Sequence, residues 1–186
     1  VTMTTTLVRT GSAMAVAGLL VGMLSACTPE AKPSPQPTKT AAFGDLDLGS
    51  AEAAAKAAEG TYSGYVAASN RVDLSVPESL EPVFDWLTGD ALVSARESYS
   101  AMRADDLTLA GESAFDEFEL ISHGDEGVIA ELCADVSEVD LRNAEGDSVI
   151  PPDRVPRQRV EVEFLRSDTS TGLAIARSSV VQEKKC

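Results

Sequence analysis

The chain has 186 residues, with 30 Asp and Glu against 15 Lys and Arg and a formal net charge of −15. A surface this acidic excludes nucleic-acid binding through phosphate contacts, which need clustered positive charge, and it is repelled by anionic lipid headgroups. A single His in the whole chain excludes the usual multi-ligand zinc sites and leaves little room for imidazole-based mechanisms.

Residues 1–26 read as an export segment rather than as part of the fold. Arg9 precedes an uncharged stretch whose apolar heart covers residues 13–24. Twelve residues at 1.5 Å each span about 18 Å, short of the roughly 30 Å of membrane hydrocarbon, which disfavours a permanent span. Next stands Leu24-Ser25-Ala26-Cys27, a branched apolar residue, two small ones and a Cys. This resembles the lipobox of bacterial lipoprotein precursors. The resemblance implies that the Cys27 thiolate takes a diacylglyceryl group, that the preceding peptide is removed, and that the mature protein is lipid-anchored on the extracytoplasmic face of the cell membrane. Two acyl chains, at about 0.8 kcal/mol per buried methylene, suffice for stable anchoring.

Residues 27–50 form a Pro/Thr-rich linker. Pro29, Pro33, Pro35 and Pro37 alternate with Ser, Thr, Lys and Gln, a composition that favours extended polyproline conformations and can lift a domain up to roughly 70 Å above the bilayer. Residues 51–186 then have the size of one compact domain.

Ser50 caps a helix opening on Ala51-Glu52-Ala53-Ala54-Ala55, strong helix formers with an acid in the first turn. Tyr62, Tyr65 and Val66 make one buried stripe at three- and four-residue spacing. Gly60 and Gly64 predict a bend or a close packing partner. A second helix is predicted over residues 78–87, with Val83, Phe84 and Leu87 inward. Thr88-Gly89-Asp90 breaks it, and a third covers residues 91–104 with Leu92, Ala95, Tyr99 and Met102 on its core face.

The period then changes from helical to two. Phe118 and Leu120 alternate with Glu117 and Glu119; Val128, Ala130, Leu132 and Val136 alternate with Ile129, Glu131, Cys133 and Asp135. Val160, Val162 and Phe164 alternate with Glu161 and Glu163, and Leu173 and Ile175 with Ala174 and Ala176. These are antiparallel strands with one face on a core, separated by turns at residues 123–127, 143–147 and 167–172. Helices first and a strand meander after them predict an α+β fold.

Several stretches carry a resemblance: Tyr62-Ser63-Gly64-Tyr65-Val66-Ala67-Ala68-Ser69-Asn70, Leu87-Thr88-Gly89-Asp90-Ala91-Leu92, Ala130-Glu131-Leu132-Cys133-Ala134-Asp135-Val136-Ser137, Asn143-Ala144-Glu145-Gly146 and the terminal Cys186. Over residues 51–186 the chain resembles lipoproteins of high-GC Gram-positive bacteria that carry a nuclear-transport-factor-2-like, cystatin-like domain. That resemblance implies N-terminal helices over the concave side of a curved antiparallel sheet, a cone whose mouth holds a pocket. It implies no activity, because such folds host enzymes, binding modules and scaffolds alike.

With Cys27 assigned to lipid, Cys133 and Cys186 remain as a pair in an oxidising compartment. A structural disulfide closing a loop of about 54 residues is worth roughly 4 kcal/mol in the chain-entropy model; free thiols and a redox-active pair are the alternatives. His123, beside Gly124 and Asp125, reads as loop surface. Carboxylate pairs such as Asp105 with Asp106 and Asp116 with Glu117 read as solvated faces. Asp135 is the weak catalytic candidate, a carboxylate that a cone can desolvate into a general base. Tyr62, Tyr65, Trp86 and Tyr99 are the pocket candidates, with Trp86 placed to line its mouth. No phosphate loop, calcium loop or metal spacing is present, and no cofactor or metal is expected. The leading expectation is a non-enzymatic accessory or binding lipoprotein of the cell envelope, recognising an envelope protein or a small apolar ligand. The alternatives are a pocket enzyme of isomerase or hydratase type, with Asp135 as base and a Tyr as acid, and a structural spacer with no ligand.

Overall fold

The computed structural model describes residues 46–182 and 184–186; the export segment, Cys27 and most of the linker lie outside the described residues. Among those described, no helix is long and apolar enough to cross a membrane.

Helix α1, Ala51–Ser69, begins where Ser50 Oγ accepts from the Ala53 backbone N–H at 3.4 Å. Its buried face is Ala54, Ala57, Ala58, Thr61, Tyr62 and Ala68. These are mostly small side chains, so the helix lies close against the sheet. The helix runs unbroken through both glycines. At Gly64 the six-membered ring of Trp86 occupies the space a Cβ would need, which is the close partner the sequence left open. A 3-10 turn, Pro77–Leu80, leads into the one-turn helix α2, Glu81–Phe84. Pro77 and Pro82 each sit in a first turn, where the missing N–H costs nothing. Leu80 and Val83 drop into the core at 6% and 0% exposure. The predicted second helix is therefore shorter and partly 3-10. Trp86, Leu87 and Thr88 leave it to run along a strand: the Thr88 N–H donates to Ile175 O at 2.8 Å, and the Ile175 N–H donates to Trp86 O at 2.9 Å. Helix α3, Gly89–Ala104, follows and packs over that same strand.

Strands β2 (Ala114–Gly124), β3 (Gly127–Asp135), β5 (Arg157–Arg166) and β6 (Leu173–Val180) form an antiparallel sheet in the order β2-β3-β5-β6. The short strands β1 (Thr108–Ala110) and β4 (Asp140–Arg142) make a separate two-stranded ribbon that the period-two pattern did not disclose. The helical face of the main sheet carries Val128, Ala130, Leu132, Val160, Val162, Phe164, Leu173 and Ile175, all buried with α1 residues and Val83 in one cluster. Phe115 and Phe118 join it although three residues apart, an odd spacing that strict alternation forbids. A bulge between Asp116 and Glu119 resolves this by adding one residue, with Glu117 at φ 49°. The architecture is the α+β one the sequence predicts, helices on one face of an antiparallel sheet.

The domain begins before Ala51. Leu48, placed in the linker by composition, is 1% exposed in the core, and Leu46 packs on the same cluster. The His123 Nδ1–H donates to Leu48 O at 2.7 Å, which fixes the tautomer because a carbonyl only accepts. His123 thus lies on the surface as expected, and holds the incoming chain there.

The other face of the sheet is partly roofed. The C-terminal tail crosses it, with the Val181 N–H donating to Arg159 O at 2.9 Å. Lys184 Nζ reaches both carboxylate oxygens of Glu131 at 2.8 and 2.9 Å, and Cys186 is joined to Cys133. Glu131 and Cys133, which alternation alone puts on a wet face, are consequently 5% and 0% exposed.

Candidate functional site

A cavity of about 440 Å³ lies between α1, α3, the β1–β4 ribbon and strand β6. Its existence explains an oddity of α3: the helix packs on the domain, yet none of its residues is fully buried. The residues it presents to the cavity are Ala91, Ser94, Ala95, Ser98, Tyr99 and Met102, the two serines being exposed. Most of these are too small to reach the strand below, so space remains where a Leu-rich helix leaves none. Leu87, Leu109, Val136, Val139 and Ile175 complete apolar walls. Asp90 and Arg177 stand at the open side, 3.6 Å apart with side chains 80% and 64% exposed. An ion pair so wet contributes little to stability.

At the α1 wall the lining turns polar through Tyr65, Ser69, Asn70 and Ser113. Asn70 is engaged through both atoms of its side-chain amide. Its Nδ2 donates to Ser113 O at 2.9 Å, and its Oδ1 accepts from the Ser113 N–H at 2.9 Å and from Ser113 Oγ at 2.8 Å, clamping the end of α1 to the start of β2. Ser69 is not: its Oγ is buried with no hydrogen-bond partner. Burial pushes the Tyr65 and Tyr99 phenols above their ordinary range, and the Ser69 hydroxyl, close to both phenol oxygens but outside full hydrogen-bond geometry with either, opposes the shift in each. Both phenols are therefore neutral donors at physiological pH, unable to serve as bases.

The four aromatic candidates divide. Tyr65 and Tyr99 line the cavity. Tyr62 lies one layer deeper at 7% exposure, its ring 5.8 Å from Tyr65 and 4.9 Å from Phe115. Burial and the Tyr65 phenol raise its pKa. Trp86, expected at the mouth, is elsewhere: it covers Gly64 and borders a separate polar depression with Pro82, Asp85 and Thr169. The helix ends at Phe84, so helical periodicity no longer governs which way residue 86 points.

Asp135 requires correction as well. It ends β3 outside the cavity lining, and its carboxylate accepts from the Ser137 N–H at 2.9 Å and faces Arg157 at 3.7 Å. The Ser137 bonds first, and the Arg157 charge after them, hold its pKa below the usual carboxylate range. A group stabilised as an anion and left wet is the opposite of the desolvated base expected of it. Nearby, Asp116, Glu117 and Cys133 bring ligand atoms within 4.8 Å of one another. That set is already spent, because Cys133 is in a disulfide and the two carboxylates pair with Arg157 and Arg159, each at 2.5 Å.

Ser69, Ser94, Ser98 and Ser113 were not singled out from the sequence. A signal was present, however: Tyr65 and Ser69, Ala91 and Ala95, Ala95 and Tyr99 are all four residues apart, the spacing of one helix face. A core-facing stripe that is repeatedly small or hydroxylated marks a wall of a cavity rather than a packed seam.

No protein-family model matches the chain, and no curated protein matches it either. Among solved structures it is similar to a candidate aromatic ring hydroxylase from Novosphingobium aromaticivorans, at 15% identity and a TM-score of 0.47, covering 68% of this chain and 87% of that one.

Proposed function

We propose that this chain is a lipid-anchored extracytoplasmic protein whose domain is a non-enzymatic binding module for a small, largely apolar ligand. The carrying observation is the cavity of about 440 Å³, a volume proper to small-molecule sites. Its walls are largely aliphatic, its inner polar groups are neutral Tyr, Ser and Asn side chains, and its only charged lining groups, Asp90 and Arg177, are exposed at the open side. A spacer has no use for such a cavity. An isomerase or hydratase needs a base within reach of a bound substrate, and Asp135 lies outside. The anchoring half of the reading rests on Leu24-Ser25-Ala26-Cys27 and the Pro-rich stretch after it.

The cavity reading is tested by filling the space. Ala95 on α3 lines it and is half-buried, so Ala95→Trp puts an indole where the ligand sits. Pyrene, a hydrocarbon whose emission reports a dry environment, is expected to bind the wild-type domain and to bind the variant about tenfold more weakly or worse, with the far-ultraviolet circular dichroism unchanged. Equal pyrene affinity in both proteins contradicts the proposal.

A further inference from the structure

Three hydroxyls of the lining lie close together: Tyr65 and Ser69, one turn apart on α1, and Tyr99 on α3, with Ser69 near enough to act on both phenols. Ser69 Oγ is the single buried side-chain oxygen or nitrogen among the described residues without a partner. A buried hydroxyl normally finds one, and leaving it unmatched is costly. Asn70 and Ser113, the other polar groups at this wall, are bonded to each other and not to it.

We infer, on the premise that the cavity is the ligand site proposed above, that it takes a neutral, predominantly apolar molecule bearing a carbonyl oxygen, seated against the Tyr65, Ser69 and Tyr99 hydroxyls. The chemistry of the alternatives supports the choice. A carbonyl oxygen has two lone pairs and no hydrogen, so it accepts from Ser69 and from a phenol together. A carboxylate or phosphate there is desolvated with no cation beside it. The one cationic side chain in the lining, Arg177, is at the open side next to Asp90. A pure hydrocarbon fits the aliphatic walls but leaves Ser69 unpaired. The apolar body of the ligand lies along Ala91, Ala95, Met102 and Ile175.

The test displaces bound pyrene from the full domain with 2-decanone, decane and decanoate, matched in length and differing in their oxygen. 2-Decanone is expected to displace pyrene at about tenfold lower concentration than either of the others. That advantage over decane is expected to disappear in Ser69→Ala and to shrink severalfold in Tyr99→Phe. The ratio of the two affinities is the readout, so a general loss of packing does not imitate the effect. If ketone and alkane displace equally, the carbonyl assignment falls while the pocket stands. If decanoate is the best competitor, the site is an anion site and the assignment also falls. If pyrene does not bind wild type at all, the pocket reading itself has failed, and the carbonyl assignment with it.

Discussion

Replacing Cys186 with Ser is expected to lower the stability of the domain by about 4 kcal/mol, a large share of the 5–15 kcal/mol that domains of this size possess. The expectation follows from the 53-residue separation of the bonded pair, since a long loop left open restores much entropy to the unfolded chain. The native state loses something too. The tail carries Lys184 across to Glu131, whose side chain is 7% exposed against 54% for the lysine. With the tether cut, the tail is held to the sheet by the Val181–Arg159 backbone bond and that half-wet pair, and exposed pairs are worth little. Glu131 also sits directly between Glu119 and Glu161 in the register of β2, β3 and β5, so a departing ammonium leaves three carboxylates side by side, which is destabilising. Urea unfolding of the variant against wild type under non-reducing conditions measures the effect. A loss below about 1 kcal/mol would mean that the tail contributes almost nothing, and a reductant acting on wild type should reproduce the variant's midpoint.

The second large effect is on location. If Cys27 carries the diacylglyceryl group, Cys27→Ser removes the only attachment the proposed mature chain has. Wild-type protein is expected to sediment with membranes and to incorporate a fatty-acid analogue; the variant is expected to lose all label and to leave the membrane fraction. The magnitude is set by two acyl chains at about 0.8 kcal/mol per buried methylene, which no feature of a strongly acidic domain replaces. Labelling of the Ser variant to the wild-type level would remove the lipid from the account, and with it the anchoring.

These two expectations draw on parts of the chain that were unequally legible. Helix α1 was plain because its alanines, cap and acid agree with one another, and β2, β3 and β5 because apolar residues alternate with acids, with β6 showing only Leu and Ile alternating with Ala. The Cys133–Cys186 pairing was reachable by assigning the third Cys elsewhere. What the pattern concealed was tertiary in origin. Leu46 and Leu48 sit in a polar, Pro-bearing stretch, and only the packing of Gly172 against Leu46 and the burial of Leu48 draw them into the domain. Glu131 reads as an outward residue until a tail folds over it. Phe115 escaped because a bulge breaks the period.

The cavity was half visible for a related reason. Tyr65 and Tyr99 stood out because aromatic rings are conspicuous, whereas Ser69, Ala91, Ala95 and Ser98 are quiet residues whose meaning is the volume they do not fill. Asp135 drew notice as a carboxylate near the end of a strand in a pocket-prone fold. Its surroundings decide its chemistry, and Ser137 and Arg157 make it a stable anion on the outside.

Met102 offers the most direct reading of the central claim, that the cavity is an open ligand site. It lines the space, and after residue 27 it is the only methionine in the sequence, so a mature protein labelled with ¹³C at methionine methyls gives one signal. Titration with pyrene is expected to shift that signal progressively, by the ring current of an aromatic seated against α3, and to saturate. A methyl resonance that stays in place while pyrene is in excess would contradict the account, because nothing would then have entered beside it.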